Sequence, residues 1–188
     1  MESPREAQTA RGIETVTGVN VDKTATPART ATRKEKFMTF SLGGRRYGLP
    51  LARVKEVTSF IQPTRLPSVP RHFVGLINLR GQVISVIDLA MKFGVGEVAL
   101  KPQKTCVIIS SIGDRQFGFL VDEVHEVLSY SPDAMAMARE SGAAGIKHRG
   151  IGSIAKDADG TLTPLIDLDN ALDQAELQLF LESVNEAI

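Results

Sequence analysis

Two stretches of this chain carry one pattern twice, and that repeat limits the possible folds more than any other feature. Phe40–Val57, FSLGGRRYGLPLARVKEV, and Ile109–Val127, ISSIGDRQFGFLVDEVHEV, each read as an apolar run, a glycine-bearing turn, an aromatic residue plus glycine, a second apolar run and Val-x-Glu-Val. Tyr47-Gly48 falls on Phe117-Gly118 and Glu56-Val57 on Glu126-Val127, each at an offset of 70 residues. Farther along, SVIDL ending at Leu89 matches PLIDL ending at Leu168, with Gly75 set against Gly150. The period is longer than that of a solenoid repeat, so the chain holds one supersecondary unit twice.

Within each unit, short runs of Val, Ile, Phe and Thr are separated by turn signals at Gly43-Gly44, Gly113-Asp114 and Asp159-Gly160. No long amphipathic helix interrupts them. The pattern predicts an all-β fold of two pseudo-repeated, five-stranded barrels. Strands are expected near 37–42, 45–51, 73–79, 82–87, 105–111, 115–121, 150–155 and 161–166, with shorter ones around 54–60 and 124–130. The two subdomains are drawn at about 37–100 and 105–170. A barrel of roughly 60 residues buries too little surface to stand alone, so the two should share an apolar seam. Asp88 and Asp167 each follow a strand and precede a short helical segment, where a carboxylate caps unpaired N–H groups. A C-terminal helix over 173–188 should lay Leu177, Phe180, Leu181, Val184 and Ile188 on a barrel. Residues 131–149 read as a mobile loop with one helical turn.

Residues 1–36 differ in kind, with seven Thr, five Ala and no aromatic residue. Such a segment buries too little surface to offset its ordering entropy and is expected to be a disordered tail. Lys plus Arg equals Asp plus Glu at 22 each, and with seven basic and five acidic residues in the tail the rest carries a formal charge of −2. That disfavours nucleic acid and anionic membrane surfaces. The start has no apolar signal core, and no stretch approaches the ~18 apolar residues of a membrane span. A cytoplasmic protein is expected. Cys106, the single cysteine, reads as a buried structural thiol.

The search for reaction chemistry returns negatives. His72, His125 and His148 stand in no metal-ligand spacing, so no metal is expected. Gly94-Val95-Gly96 lacks the rest of a dinucleotide fingerprint, and Asp157–Gly160 lacks the later ligands of a calcium loop. No cofactor and no catalytic residue is expected. What remains is a difference between the units. From Gly75 to Leu89 is a step of 14 and from Gly150 to Leu168 a step of 18, which places four extra residues in the second turn. The first turn carries Asn78-Leu79-Arg80-Gly81, and the second has an ordinary polar tip in SIAKDADGTL. An arginine beside Leu79 on a rigid tip suits protein binding, because its guanidinium adds five donors to an apolar surface.

FSLGGRRYGLPLARVKEV followed by PTRLPSVPRHFVGLINLRGQVISVIDL strongly resembles the CheW family of chemotaxis coupling proteins, over Phe37 to about Leu172. The resemblance implies two SH3-like barrels forming an adaptor that joins chemoreceptor cytoplasmic tips to the CheA histidine kinase through the kinase's regulatory domain. Other CheW-like proteins are further implied partners. Family receptor contacts map onto Val54, Glu56, Val57, Asn78 and Arg80. Glu56 is ambiguous, because Glu126 repeats it. No receiver domain follows Leu172, which speaks against a CheV-type fusion. The alternative from another class is a small-barrel ligand- or nucleic-acid-binding module; the acidic body and the scarcity of aromatic residues oppose it.

Overall fold

A computed structural model describes residues 33–67, 69–138 and 150–186. Residues 1–32 of the expected tail and 139–149 of the expected mobile loop lie outside the described residues, whereas Glu35 and Lys36, at the end of the expected tail, are ordered in the first strand by pairing with Tyr130 and Ser129. In chain order the elements are β1 (Glu35–Leu42), β2 (Arg45–Pro50), β3 (Val54–Ser59), β4 (Phe73–Leu79), β5 (Gln82–Asp88), α1 (Leu89–Lys92), β6 (Cys106–Ile112), β7 (Arg115–Val121), β8 (Glu123–Tyr130), β9 (Met135–Met137), β10 (Ile151–Lys156), β11 (Leu162–Ile166), α2 (Leu168–Ala171) and α3 (Gln174–Glu186). The ten expected strands all form, within two residues of their expected ends. β9 was not expected: Met135–Met137 sits in the loop region yet pairs with Ser153–Ala155. The predicted helical turn is the short 3-10 segment Pro132–Ala134 just ahead of it.

The strands form two sheets, ordered β8-β1-β2-β11-β10-β9 and β3-β6-β7-β5-β4. Neither sheet belongs to one half of the sequence. Strands β3, β4 and β5 of the first half surround the β6–β7 hairpin of the second, while β8, β10 and β11 take in the β1–β2 hairpin. The subdomains are therefore not the contiguous spans 37–100 and 105–170, because each repeat lends its first hairpin to the other. Two sharp crossings bring this about. The 3-10 turn Leu51–Arg53 carries the chain from β2 into β3, and Asp122 alone separates β7 from β8. Asp122 is held there from both sides, its N–H donating to Ser41 O at 3.1 Å and its Oδ2 accepting from Gly43 N at 2.7 Å.

This exchange explains the repeated aromatic-glycine pair. The exchanged hairpins meet their hosts in parallel, with Gly48 opposite Leu165 and Gly118 opposite Val86. A Cβ on Gly48 would stand 2.7 Å from Leu165 Cδ2, and one on Gly118 2.8 Å from Val107 Cγ1 and 3.3 Å from Val86 Cγ2. A side chain at either glycine would have to displace the apolar side chains packed over the join, from the host strand and, at Gly118, also from its own hairpin. The main core accordingly runs through both sheets, combining Phe40, Leu42 and Tyr47 with Ile84, Val86, Ile108 and Phe119. A small second cluster holds Phe37, Tyr130, Ala155 and Leu165. Cys106 is half-buried, with its thiol donating to Lys104 O at 3.1 Å. Its place next to the first edge strand, opposite Ser59, leaves it less enclosed than the apolar run TCVIIS suggested.

Both capping aspartates take their expected places: Asp88 accepts from Met91 N at 2.9 Å and Asp167 from Asp169 N at 3.1 Å. Asp88 also accepts from Val98 N at 2.9 Å, which ties down the chain after α1. Burial raises its pKa above the ordinary carboxylate value, and the backbone bonds work against that rise. In α3, Leu177 and Phe180 pack on the core as the helical spacing required.

The ladder corrects the alignment of the two units near their tips. Phe73 pairs with Ile87 and Ile151 with Ile166, so Gly150 stands where His72 does. The carbonyls of those two residues accept from the N–H of Asp88 and of Asp167 at 2.8 and 2.9 Å. Gly75 answers a different demand. Its φ is +143°, and a Cβ there would lie 2.2 Å from Thr64 O. On the true register the paired residues Asn78 and Val83 enclose four residues and Lys156 and Leu162 enclose five, so the second turn is longer by one residue and not by four.

Candidate protein-binding site

The β4–β5 tip is a two-residue turn. Leu79 pairs with Gln82, and the residues between them, Arg80 and Gly81, have φ of 53° and 83°. These are the angles of a type I′ turn, whose twist suits a hairpin and whose usual residues are Asn and Gly. Arg80 is the only residue other than glycine with positive φ among the described residues. Such a conformation costs an L residue with a Cβ about 1 kcal/mol. Asn78 supports the turn by accepting from Gly81 N at 2.9 Å. Leu79 and Val54 are half-buried and pack on the main core.

Arg80 is therefore held out from the body while Leu79 before it packs against the core. Its side chain is 77% exposed, and Nη2 donates to Glu56 Oε1 at 2.7 Å. That bond has topological meaning: Glu56 lies on β3 and Arg80 at the end of β4, the two outer strands of the five-stranded sheet. The sheet curls far enough for its edges to touch through this pair. Glu126 repeats Glu56 on β8, yet its side chain makes no ion pair among the described residues. The glutamate is thus common to both units, and the pairing belongs to the first alone.

Of the six residues singled out in the sequence, Arg80 and Glu56 meet at the surface, while Val57, next to Glu56 on β3, points to the opposite face of the sheet. Asn78, Leu79 and Val54 serve the turn and the core. Val57 is 39% exposed on its edge strand, and Val127, its repeat counterpart, is 47% exposed on the edge of the other sheet. Exposure of valine at this position is thus a property of the unit and does not single out the first half.

One feature of the site left no signal in the sequence. The parallel pairing of β5 with β7 begins at Ser85 opposite Phe117. Before that point the strands diverge, leaving a groove of about 250 Å³ lined by Gln82–Ser85 and Asp114–Phe117. Val83, 40% exposed, forms part of it. The groove lies on the same hairpin as Arg80 but has one wall from each half of the chain, so no local motif encodes it. No group of three or more His, Cys, Asp or Glu placed to hold a metal ion occurs among the described residues. Nor is any described helix long and apolar enough to cross a membrane.

Comparison with known proteins places this geometry in a family. A family model described as CheW-like domain matches residues 36–176. The chemotaxis protein CheW of Klebsiella aerogenes is 35% identical over 106 residues, 56% of this chain and 63% of that protein, so the match spans somewhat less than two thirds of the relative. CheW of Bacillus subtilis is 29% identical over 138 residues, 73% of this chain and 80% of that protein. Among solved structures, the scaffolding protein TtCheW from Thermoanaerobacter tengcongensis superposes with a TM-score of 0.68 at 31% identity, covering 77% of this chain and 96% of that one.

Proposed function

The chain belongs to the CheW-like family, and from that premise we propose that it is a non-enzymatic scaffold of chemosensory signalling, coupling chemoreceptors to the CheA histidine kinase on the cytoplasmic side of the membrane. A coupling protein needs no reacting group. It needs two surfaces held in fixed relation, and exchanged hairpins around one continuous core supply that rigidity. In this reading the chemoreceptor tip meets the first-half hairpin, where Arg80, paired with Glu56 of β3, is exposed on the hairpin that also carries the Val83 side of the groove. The regulatory domain of the kinase takes another surface of the double sheet.

The observation that carries the reading is the conformation of Arg80. A type I′ turn that would be more stable with Asn instead holds a long cation in left-handed backbone geometry, largely exposed. Local strain kept at an exposed position points to use by a partner. Glu56 orients the guanidinium through one nitrogen, and the remaining donors face solvent, where a receptor's acceptors can reach them.

Titration of labelled protein against a receptor cytoplasmic fragment, and separately against the kinase regulatory domain, tests this. Arg80→Ala should weaken the receptor complex by about 1–3 kcal/mol, some ten- to a hundredfold, and leave kinase binding nearly unchanged. An unaltered receptor affinity would reduce Arg80 to a turn residue. Equal losses for both partners would signal damage to the whole sheet.

A further inference from the structure

The last helix is bound into the sheet that carries the Arg80 tip, although it leaves the chain from the other sheet. Phe180 of α3 is fully buried. Its ring stacks on Phe73 at a centroid distance of 4.6 Å and meets Phe117 edge-on at 6.4 Å and His72 at 6.2 Å. Phe73 is the first residue of β4, and Phe117 lines the groove beside Val83. One side chain thus touches the base of the tip-bearing strand and the opposite wall of the groove.

A polar clasp fixes the start of the same helix. Asp173 and Glu176 cap it reciprocally, Glu176 N donating to Asp173 Oδ1 at 2.8 Å and Asp173 N to Glu176 Oε2 at 2.9 Å. The other carboxylate oxygen of Glu176 faces Lys92 Nζ of α1 and, at 2.9 Å, His72 Nε2. The histidine contact has the spacing of an ion pair but not the alignment of a hydrogen bond. Strand β4 needs such support, because it is an edge strand whose outer side is held by a single bridge, Thr64 to Leu76.

We propose that Phe180, with Glu176, is a positioning residue for partner binding: docked α3 sets the angle of the β4–β5 hairpin against β7, so that Arg80 and the groove present one matched surface. Phe180 lies beyond the 36–176 span of the family match. The inference rests on the reading of Arg80 as a receptor contact, and its test separates the two.

Four full-length variants are compared with the native chain: Phe180→Ala, Phe180→Leu, Phe37→Ala and Arg80→Ala. Phe37 is a buried aromatic of the small cluster in the other sheet, so its loss destabilises without touching β4. Phe180→Ala should quicken amide exchange at 73–79 and 82–85 more than at 37–42, and weaken receptor-fragment binding about three- to tenfold with kinase-domain affinity unchanged. Phe180→Leu should restore most of the loss, and Phe37→Ala should leave receptor affinity within about twofold at the same folded fraction. Equal receptor losses in Phe37→Ala and Phe180→Ala would reduce Phe180 to a stability residue and overturn the proposal. So would unselective exchange in Phe180→Ala, whatever the binding results. If Arg80→Ala weakens binding and Phe180→Ala does not, the positioning role fails and the functional reading stands; if Arg80→Ala is itself without effect, the functional reading fails. Should Phe180→Ala not fold, Glu176→Gln replaces it: glutamine keeps the cap, loses the ion pairs, and should shift exchange and affinity in the same direction by a smaller amount.

Discussion

The two hairpin tips occupy equivalent places in the repeat and are stabilised by different means. At the first, Arg80 and Gly81 make a two-residue turn whose one long-range tie is the exposed Arg80–Glu56 pair. At the second, Asp157 is drawn inward. It accepts from Tyr130 Oη at 2.5 Å and Thr163 Oγ1 at 3.0 Å and lies 3.6 Å from Arg46, while its own N–H donates to Thr161 O at 2.8 Å. The Tyr130 hydroxyl is pushed up to about 12, first by burial and then by the Asp157 carboxylate. One fold therefore carries one tip locked by its own polar network and one left open to outside contact. A repeated architecture can hold a binding feature in one copy while the other copy serves stability.

The strongest challenge to this comparison is to separate the halves. A fragment of residues 37–100 contains β3 and the β4–β5 hairpin but not β6 and β7, which stand between them in the sheet. It should lose cooperative folding altogether. Dispersed, monomeric amide spectra from it would show that a half folds by itself and would overturn the exchanged arrangement.

Next in size is the contrast in stability between the tips. Asp157→Ala leaves Tyr130 and Thr163 without their acceptor and should cost about 1–3 kcal/mol in denaturant unfolding, whereas Arg80→Ala should stay within about ±0.5 kcal/mol. Similar costs for the two would erase the distinction. A smaller effect of opposite sign is expected from Arg80→Asn. The Asn-Gly turn relieves the left-handed strain and should raise stability by about 0.5–1 kcal/mol while receptor affinity falls. A variant that gains neither stability nor loses affinity would remove the link between strain and use.

Acid should loosen the five-stranded sheet before the six-stranded one, because His72 has glycine as its counterpart at Gly150. Burial, followed by the Lys92 charge, holds the His72 pKa below its ordinary value, with Glu176 and Asp173 pulling the other way. A histidine whose folded pKa is lowered contributes fully above its unfolded value of about 6.5, and that contribution is lost as pH falls through the folded value. Amide exchange at β4 should quicken relative to β10 on acidification below about pH 6.5, and His72→Gln should remove the difference. The smallest expected effect is none: Lys156→Ala, at the exposed end of β10, should change neither receptor affinity nor stability measurably.

Much of this was legible in the chain. The strands, the turns at Gly43-Gly44 and Gly113-Asp114, the caps at Asp88 and Asp167 and the helix bearing Phe180 all follow from alternation, turn residues and carboxylate placement over a few residues. Arg80 stood out because the Asn78–Gly81 turn had no counterpart in the second unit. The mistaken match of Gly75 with Gly150 had a physical source, since the first glycine answers a backbone contact with Thr64 and the second stands before its strand. The Glu56–Arg80 pair and the Val83 groove were not legible as contacts, because each joins segments brought together only by the curl of a sheet.

By itself, then, the sequence determined local conformation and the existence of two equivalent units, since both depend on interactions among near neighbours in the chain. The tertiary structure decided which unit hosts which hairpin. Two hairpins of the same pattern can be received by either half with the same local preferences, and the choice falls to the short crossings at Leu51–Arg53 and Asp122, the glycine joins at Gly48 and Gly118 and the burial of Phe180 across the seam. These are long-range packing terms, which acquire a value only when the whole chain has closed.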